Sequence, residues 1–366
     1  LKVNNPDLIN DVYLDINDNL VTGRITVNID VDNLIATFTH NGAEVSVNDV
    51  IQTSSTTGND FTDIVIYAVK TANGSQENYQ INLTKFTGLP IVYLSTDNNV
   101  PIDSKDNYVE GSVSLDGGRY TENLLATTMK IRGRGNSTWF THPKKPFQMK
   151  FKEKTEFLGM PADKKWLFLA EYSDKTLLRN KVAFEMGYIS VLDWTPQSTF
   201  AEVYISGEYN GTYNITQKVE ESGNRADLGD TGYLLEIDQL ERLDESDVFF
   251  YTDKFLINIK EPSVDLGSEE YLYVEDLIND FETVLYSNEF KDLESGYAKF
   301  IDVDSFIDWY LISEITKNVD SQFFSSIYLN VMPGEKIKMG PLWDFDLSFG
   351  NVDYADSQFA AGFWVM

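Results

Sequence analysis

The segment Gly340-Pro-Leu-Trp-Asp-Phe-Asp-Leu-Ser-Phe-Gly350 places two carboxylates among large aromatic side chains near the end of the chain. We predict that its aspartates lie at the end of the last strand of a sheet, so that Asp344 and Asp346, two residues apart on that strand, point to the same face. Carboxylates that share a face repel each other unless a cation lies between them, and the pair therefore indicates a hard ion such as Mg²⁺. The alternative is a pair of solvated aspartates at a strand end.

A third carboxylate precedes this pair by 24 residues, in the sequence Asn318-Val319-Asp320. We predict a helix over Val303–Lys317 and then a hairpin of two strands, Ser326–Val331 and Lys336–Leu342. The hairpin would bring Asp320 beside the aspartate pair. This layout is typical of kinase-type phosphoryl transfer, in which one carboxylate orients or deprotonates the acceptor hydroxyl and another holds Mg²⁺ on the nucleotide.

A cationic segment supplies the counterpart of these acids. Residues 130–181 carry 13 basic and 5 acidic residues, although the whole chain has 29 Lys plus Arg against 58 Asp plus Glu. Within this segment lies Arg132-Gly133-Arg134-Gly135-Asn136, whose glycines let backbone N–H groups approach a phosphate while the arginines supply bidentate bonds. We expect a local phosphate site and no binding of nucleic acid, because the formal charge of −29 repels long polyanions. The alternatives are a structural turn and a row of solvated lysines that protects a strand edge.

Two lysines of the next predicted strand, Lys145 and Lys150, are candidates for the group that anchors the nucleotide phosphates. The pattern does not choose between them. Glu185 of the following helix, or else Glu171, would be the partner carboxylate of the chosen lysine. Both questions depend on which strand face is turned toward the aspartates.

A helix is predicted over Asp174–Met186, with Ser173 as its N-cap and Gly187 as its stop. Arg179 would lie on the polar flank of this helix. Its default role there is an exposed ion pair within the helix, and the alternative is a contact to a nucleotide phosphate.

The fold class follows from the order of the elements. Residues 1–87 alternate Val, Ile and Thr with polar residues between turn signals, which predicts an all-β immunoglobulin-like sandwich without a Cys pair. This block also resembles the immunoglobulin-like modules of bacterial surface lipoproteins, and we expect it to act as a spacer. Residues 88–366 predict a separate α+β domain, with antiparallel strands such as the hairpin Phe200–Ile205 and Thr212–Val219 first and helices such as Ser268–Ser287 after them.

The composition excludes several kinds of site. The chain has no Cys and two His, which excludes disulfides and thiolate metal sites and argues against a serine–histidine triad. No run approaches the roughly 18 to 20 apolar residues of a transmembrane helix, and no signal peptide is visible. Because the chain begins at Leu1 without Met and stops at Met366, we expect both ends to be boundaries within a longer protein. That leaves open a lipid anchor upstream and a continuation of the second domain downstream.

Several separated motifs resemble, in order and spacing, the spore-coat-protein-H (CotH) kinase family over about residues 90–366. The resemblance implies an atypical protein-kinase-like fold, ATP and Mg²⁺ as cofactors, and Ser/Thr side chains of secreted or surface proteins as acceptors. It implies Asp320 as the catalytic-loop aspartate and Asp344 as the metal-binding one, supported by Asp346. The cationic segment and the Lys145 region would then serve the nucleotide phosphates. The motifs are Arg132–Trp139, Lys144–Phe147, Trp166–Glu171, Asp174–Asn180, Glu202–Tyr213, Asn318–Asp320 and Gly340–Gly350.

The chain departs from the standard kinase pattern at one position. Five residues after the catalytic aspartate a kinase carries Asn, which holds a second Mg²⁺, whereas this chain has Ser325. Asn318 is the candidate substitute as a metal ligand, from the other side of Asp320.

Two functional hypotheses of different classes follow. The first is an extracytoplasmic protein kinase at the cell surface or secreted, acting on a protein substrate. The second is a surface adhesion or ligand-binding protein that keeps a kinase-like scaffold without turnover. Glycoside hydrolysis by two carboxylates is a third reading, but it leaves the cationic segment unexplained.

Overall fold

We describe the protein from a computed structural model, which places residues 2–8, 11–26, 29–118, 120–354 and 356–359. The chain divides into two compact units, Leu1–Leu89 and Pro90–Met366. None of the helices in these ranges combines the length and the apolar character that crossing a bilayer requires. Both units are dominated by β-strands, and we describe each by itself.

The first unit is built on one large sheet and a small two-stranded ribbon. Strands β1 and β2 begin the sheet, whose order is β1-β2-β8-β7-β4-β5, and β3 pairs with β6 in the ribbon. The pairing of β2 with β8 is parallel, which differs from the all-antiparallel sandwich that the sequence predicts. Alternation within a strand identifies its buried face but not the direction of its partner. The strands are β1 (Asp15–Asn17), β2 (Leu20–Thr26), β3 (Leu34–Ile35), β4 (Glu44–Val47), β5 (Val50–Ile51), β6 (Gly58–Asn59), β7 (Val65–Lys70) and β8 (Gln76–Phe86).

The second unit begins with a closed seven-stranded barrel of order β10-β11-β12-β13-β15-β14-β9. All its pairs are antiparallel except β14 with β9, which closes it. Large aromatic side chains fill the interior, with Trp166, Phe168 and Tyr213 fully buried. The elements are β9 (Ile91–Thr96), β10 (Val109–Asp116), β11 (Leu124–Gly133), α1 (Ser137–Thr141), β12 (Phe147–Phe157), β13 (Met160–Leu169), α2 (Arg179–Tyr188), β14 (Ser198–Ile205) and β15 (Glu208–Gln217).

A five-stranded sheet of order β17-β18-β16-β19-β20 and two long helices complete this unit. Both helices have side-chain N-caps: the Ser268 hydroxyl accepts from the N–H of Tyr271, and the Asp302 carboxylate accepts from that of Ser305. The core here includes Leu167 of β13, so the outside of the barrel packs on this layer. The elements are β16 (Tyr233–Asp238), β17 (Val248–Tyr251), β18 (Leu256–Glu261), α3 (Glu269–Leu285), α4 (Val303–Thr316), β19 (Ile327–Val331) and β20 (Lys338–Met339).

Two local predictions are wrong. The helix predicted from Asp174 begins only at Arg179, because the Asp174 carboxylate accepts from the N–H groups of Thr176 and Arg179 and thereby stabilises a non-helical turn. Leu177 within this turn has a left-handed φ of 61°. The last strand ends at Met339, so the two aspartates that follow do not lie on a strand.

Candidate active site

Three aspartates from two segments of the second unit lie together. Asp320 lies in a short 3-10 turn directly after α4, where the Asn318 side chain accepts a hydrogen bond of 3.2 Å from the Asp320 N–H. Asp344 and Asp346 follow β20. The charge of Asp344 raises the pKa of both other aspartates, so all three share one electrostatic environment. We call Asp320, Asp344 and Asp346 the aspartate cluster.

The aspartate cluster carries more negative charge than its surroundings balance. Burial, followed by the charge of Asp344, raises the pKa of Asp320 to about 7. The same two causes raise the pKa of Asp346 to about 8, although the Ser173 hydroxyl donates to its Oδ2 at 2.8 Å. A buried site of this kind favours binding of a cation. Within the described ranges, however, no three His, Cys, Asp or Glu residues are placed to hold a metal ion by themselves.

The backbone between the two neighbouring aspartates has an unusual conformation. Asp344 has φ of 65°, in the left-handed region that residues with a Cβ seldom adopt. The next N–H, that of Phe345, donates at 2.7 Å to Oδ1 of Asn180, and the Phe345 ring is buried in the core. These contacts, and not the alternation of a strand, determine where the two carboxylates point. The prediction that strand alternation turns both carboxylates to one face is therefore wrong.

Asn180 also holds a fourth carboxylate near the cluster. Its Nδ2 lies 3.1 Å from Oε1 of Glu171, and Nδ2 of Asn214 donates to the same oxygen at 3.1 Å. Burial raises the pKa of Glu171 to about 7, these two amides oppose the rise, and the charge of Asp344 adds to it. Asn180 thus connects Glu171 to the backbone beside Asp344. Nothing in the local pattern singles out a lone asparagine near the start of a helix for this role.

Arg134 is the predicted cation that faces these acids. Burial lowers the pKa of its guanidinium, and the charges of Asp344, Asp346 and Glu171 oppose that effect. Its guanidinium carbon lies 5.7 Å from the centre of the Trp343 ring. The segment before α1 therefore delivers one arginine to the site.

The glycines beside Arg134 satisfy local packing. A Cβ on Gly133 would lie 2.4 Å from the Trp139 ring, and one on Gly135, which has φ of 85°, would lie 2.3 Å from the Thr138 hydroxyl. These are the close approaches that a structural turn requires. The turn was one of the alternatives that the sequence left open, and the packing agrees with it.

Most of the other predicted phosphate ligands have partners elsewhere. The Arg132 guanidinium stacks on Tyr108 at 4.8 Å, and the exposed Asn136 accepts from Lys105 at 3.0 Å. Lys145 donates to the Trp139 carbonyl at 2.6 Å. These contacts do not bring the three side chains to the acids.

Arg179 takes part in a different contact from the one predicted. It is the first residue of α2, pairs with the buried Asp174 just before the helix, and donates from Nε to the Ser348 carbonyl at 2.9 Å. It therefore links α2 to the loop after Asp346. The expected i,i+4 pair within the helix is formed instead by Lys181 with Glu185, at 3.0 Å.

The lysine that interacts with Glu171 is Lys144, which sequence reasoning did not select. Its Nζ donates to the carbonyls of Ala170, at 2.9 Å, and Thr212. Burial lowers its pKa to about 8, and the charge of Glu171 opposes the shift. Only the tertiary contacts show which of the two adjacent lysines interacts with Glu171.

Lys150 lies away from the acids. It is on β12, four residues beyond Pro146, whose carbonyl accepts from the Arg134 N–H. At about 3.4 Å per residue, four residues span roughly 13 Å. The backbone of Lys150 is therefore well separated from that of Arg134, and the role of Lys150 as a phosphate anchor stays a prediction.

Comparison with known proteins adds a family. A family model described as CotH kinase protein matches residues 131–365. No curated protein gives a significant match. Among solved structures, one match is a crystal structure from Bacteroides thetaiotaomicron that is provisionally described as a glycoside hydrolase. It is 13% identical, covers 71% of this chain and 82% of that chain, and has a TM-score of 0.18.

Proposed function

The chain belongs to the CotH kinase protein family, and from this premise we propose that it transfers the γ-phosphoryl group of ATP to Ser or Thr hydroxyls of secreted or surface proteins. The observation that carries the proposal is the aspartate cluster, in which three partly buried carboxylates from two segments interact electrostatically and two of them, Asp344 and Asp346, also interact with Arg134. An extracytoplasmic location is part of the proposal, and it is supported by the family's link to the spore coat.

The metal would be held by Asp344 and Asp346. Mg²⁺ held there would supply positive charge that neutralises the nucleotide phosphates. Mg²⁺ often binds through one or two carboxylates together with substrate phosphates, so a site with two adjacent carboxylates and no complete protein cage fits it. We therefore expect the metal and the nucleotide to bind together.

Asp320 would receive the proton of the acceptor hydroxyl. It comes from a different segment than the metal-binding pair, so it can approach the phosphate from the acceptor side. Its pKa of about 7 suits a general base near neutral pH, since such a group is ionised in a substantial fraction of molecules and can still hold a proton. Asn318 fixes the backbone of Asp320 through its side-chain cap.

Arg134 would neutralise phosphate charge opposite the carboxylates, because a guanidinium binds phosphate oxygens in a bidentate manner. Lys144 and Glu171 would support this side of the site. Lys144 is held by two backbone carbonyls and Glu171 by two amides, so both are fixed before substrate binds.

The test compares Asp320→Asn and Asp344→Asn with Asp280→Asn, a matched change at an exposed position of α3. We measure transfer of labelled phosphate from Mg·ATP to dephosphorylated casein and to the protein itself, and we measure binding of Mg·ATP by calorimetry. We expect a loss of at least about 10²-fold in transfer for the two cluster variants and none for the control. We expect Asp344→Asn to lose Mg·ATP binding and Asp320→Asn to keep it.

Two outcomes contradict the proposal. Transfer at the parent rate by both cluster variants would remove the assigned roles. An absence of Mg·ATP binding by the parent protein, with tight binding of a glycan or a protein, would indicate a ligand-binding protein on a kinase-like scaffold.

A further inference from the structure

The outer face of the barrel carries a row of lysines that the proposed active site does not use. In the register of adjacent strands, Lys130 of β11 lies opposite Lys150 of β12, and Lys150 lies opposite Lys165 of β13. Lys152 is two residues further along β12, on the same face. We call these four lysines the cationic strip.

The middle of the cationic strip lacks balancing charge. Lys130 pairs with Glu110 at 2.6 Å, and Lys165 pairs with Glu220 at 2.7 Å. Among the residues that the structure describes, Lys150 and Lys152 form neither an ion pair nor a side-chain hydrogen bond. Like charges directly opposite each other destabilise a sheet, so this arrangement has a cost in the free protein.

Protection of a strand edge does not explain the strip. Lysines often occur on exposed edge strands, where they prevent pairing with other chains. Strand β12 instead pairs with β11 on one side and β13 on the other, inside a closed barrel. The edge-protection reading of these lysines is therefore wrong, and another reason for the concentrated charge is needed.

The position of the strip relates it to the active site. Along β11 and just beyond it, Lys130, Arg132 and Arg134 alternate with the buried Ile131 and Gly133, so they point to one side of the sheet. Arg134 reaches the aspartate cluster. Lys130 is four residues from Arg134, so about 13 Å of extended backbone separates the near end of the strip from Arg134, a distance that an extended peptide spans with about four residues.

We infer that the cationic strip binds a short anionic segment of the acceptor polypeptide, one that carries several carboxylate or phosphate groups a few residues from the acceptor hydroxyl. The inference that this binding serves substrate recognition rests on the proposed kinase function. A short segment is favoured over a long polyanion, because the remaining chain is strongly acidic and its repulsion is screened only beyond about 8 Å.

The experiment measures binding without nucleotide. The probe is a fluorescein-labelled 12-residue peptide with four phosphoserines, compared with its unphosphorylated form, and fluorescence anisotropy gives its Kd. The test variant is Lys150→Gln/Lys152→Gln. Its matched control is Lys291→Gln/Lys299→Gln, which removes the same charge from two exposed lysines elsewhere in the second unit.

We expect the phosphopeptide to bind the parent more tightly than its unphosphorylated form. The test variant should weaken binding about fivefold, and the control less than about twofold, since each exposed ion pair contributes modestly. Asp344→Asn should bind the peptide as the parent does. A loss of transfer in that variant with intact peptide binding therefore separates a failure of catalysis from a failure of docking.

Equal weakening by the test variant and its control would overturn the inference, because net charge alone would then account for binding. Tighter binding of inorganic polyphosphate or a sulfated oligosaccharide than of the phosphopeptide would overturn the choice of a peptide as the occupant.

Discussion

Two groups of carboxylates in the second unit, one buried and one partly buried, differ in how their charge is balanced. In the first, which we call the paired cluster, Asp163 and Glu220 both contact the buried guanidinium of Arg225, and Lys165 adds a contact to Glu220. Burial acts to raise the pKa of Asp163, but the Ser222 hydroxyl, the Lys164 N–H and Arg225 outweigh it and lower the pKa. In the aspartate cluster, burial and mutual repulsion raise pKa values instead.

The difference separates two uses of buried charge. Buried carboxylates whose bonds are satisfied within the protein stabilise one arrangement of the chain, and removing a partner is costly. Buried carboxylates without enough partners destabilise the free protein, and such groups concentrate where a ligand supplies the missing charge. The paired cluster therefore indicates a structural role and the aspartate cluster a functional one.

The largest effect on stability is expected when the paired cluster is broken. Arg225→Met removes the guanidinium and leaves Asp163 and Glu220 buried without their shared cation. We expect the free energy of unfolding to fall by about 3–5 kcal/mol, measured by urea denaturation. Lys291→Met, at an exposed position, is the control and should change it by less than about 0.5 kcal/mol. A small effect of Arg225→Met would mean that the cluster is not structural.

A matched pair of substitutions compares the two clusters directly. Asp163→Asn weakens three contacts in the paired cluster and should lower the free energy of unfolding by about 1–3 kcal/mol. Asp344→Asn removes a charge that repels Asp320 and Asp346 and should raise it by about 1 kcal/mol. Both substitutions replace a carboxylate by a carboxamide of nearly the same size. Opposite signs of the change in the free energy of unfolding are therefore attributable to the surroundings of the two residues. Destabilisation by both would remove the distinction between the clusters.

The last comparison is a pH dependence of stability. In the folded protein the pKa of Asp346 is about 8, whereas its ordinary value is 3.8. Between about pH 4 and pH 8 the folded state therefore binds more protons than the unfolded state, and the free energy of unfolding falls as pH rises. One such proton gives a slope of about 1.4 kcal/mol per pH unit. Urea denaturation from pH 5 to pH 8 should show a shallower fall for Asp346→Asn, and an unchanged slope would contradict the raised pKa.

The fold was predictable where local patterns were sufficient. The hairpin of β14 and β15 and the helices α3 and α4 formed close to their predicted bounds, because turn residues, capping residues and hydrophobic spacing are local signals. The partner of each strand was harder to predict. The parallel pairs β2–β8 and β14–β9 join strands distant in sequence, and no local pattern specifies them. The start of α2 was missed because Asp174 stabilises a turn that competes with the helix.

The candidate site, too, was predictable from the sequence only in part. The aspartate-bearing segments were recognisable, since carboxylates next to bulky aromatic residues form a distinctive pattern around Asp344. The choice of Arg134 among 13 basic residues of one segment, and of Lys144 over its neighbour Lys145, was not recognisable. Each choice depends on which face of a strand or turn meets a distant part of the chain.

The amino-acid sequence by itself determined the acidic character of the protein, its family, its strand-rich composition and the segments that carry the acids. Each of these properties depends only on residue types and on their spacing over short stretches of chain. Only the tertiary structure decided which acids are neutralised and which remain short of cations. Charge balance in a buried site depends on the distances between side chains from separate segments, and those distances exist only after barrel and sheet have packed together.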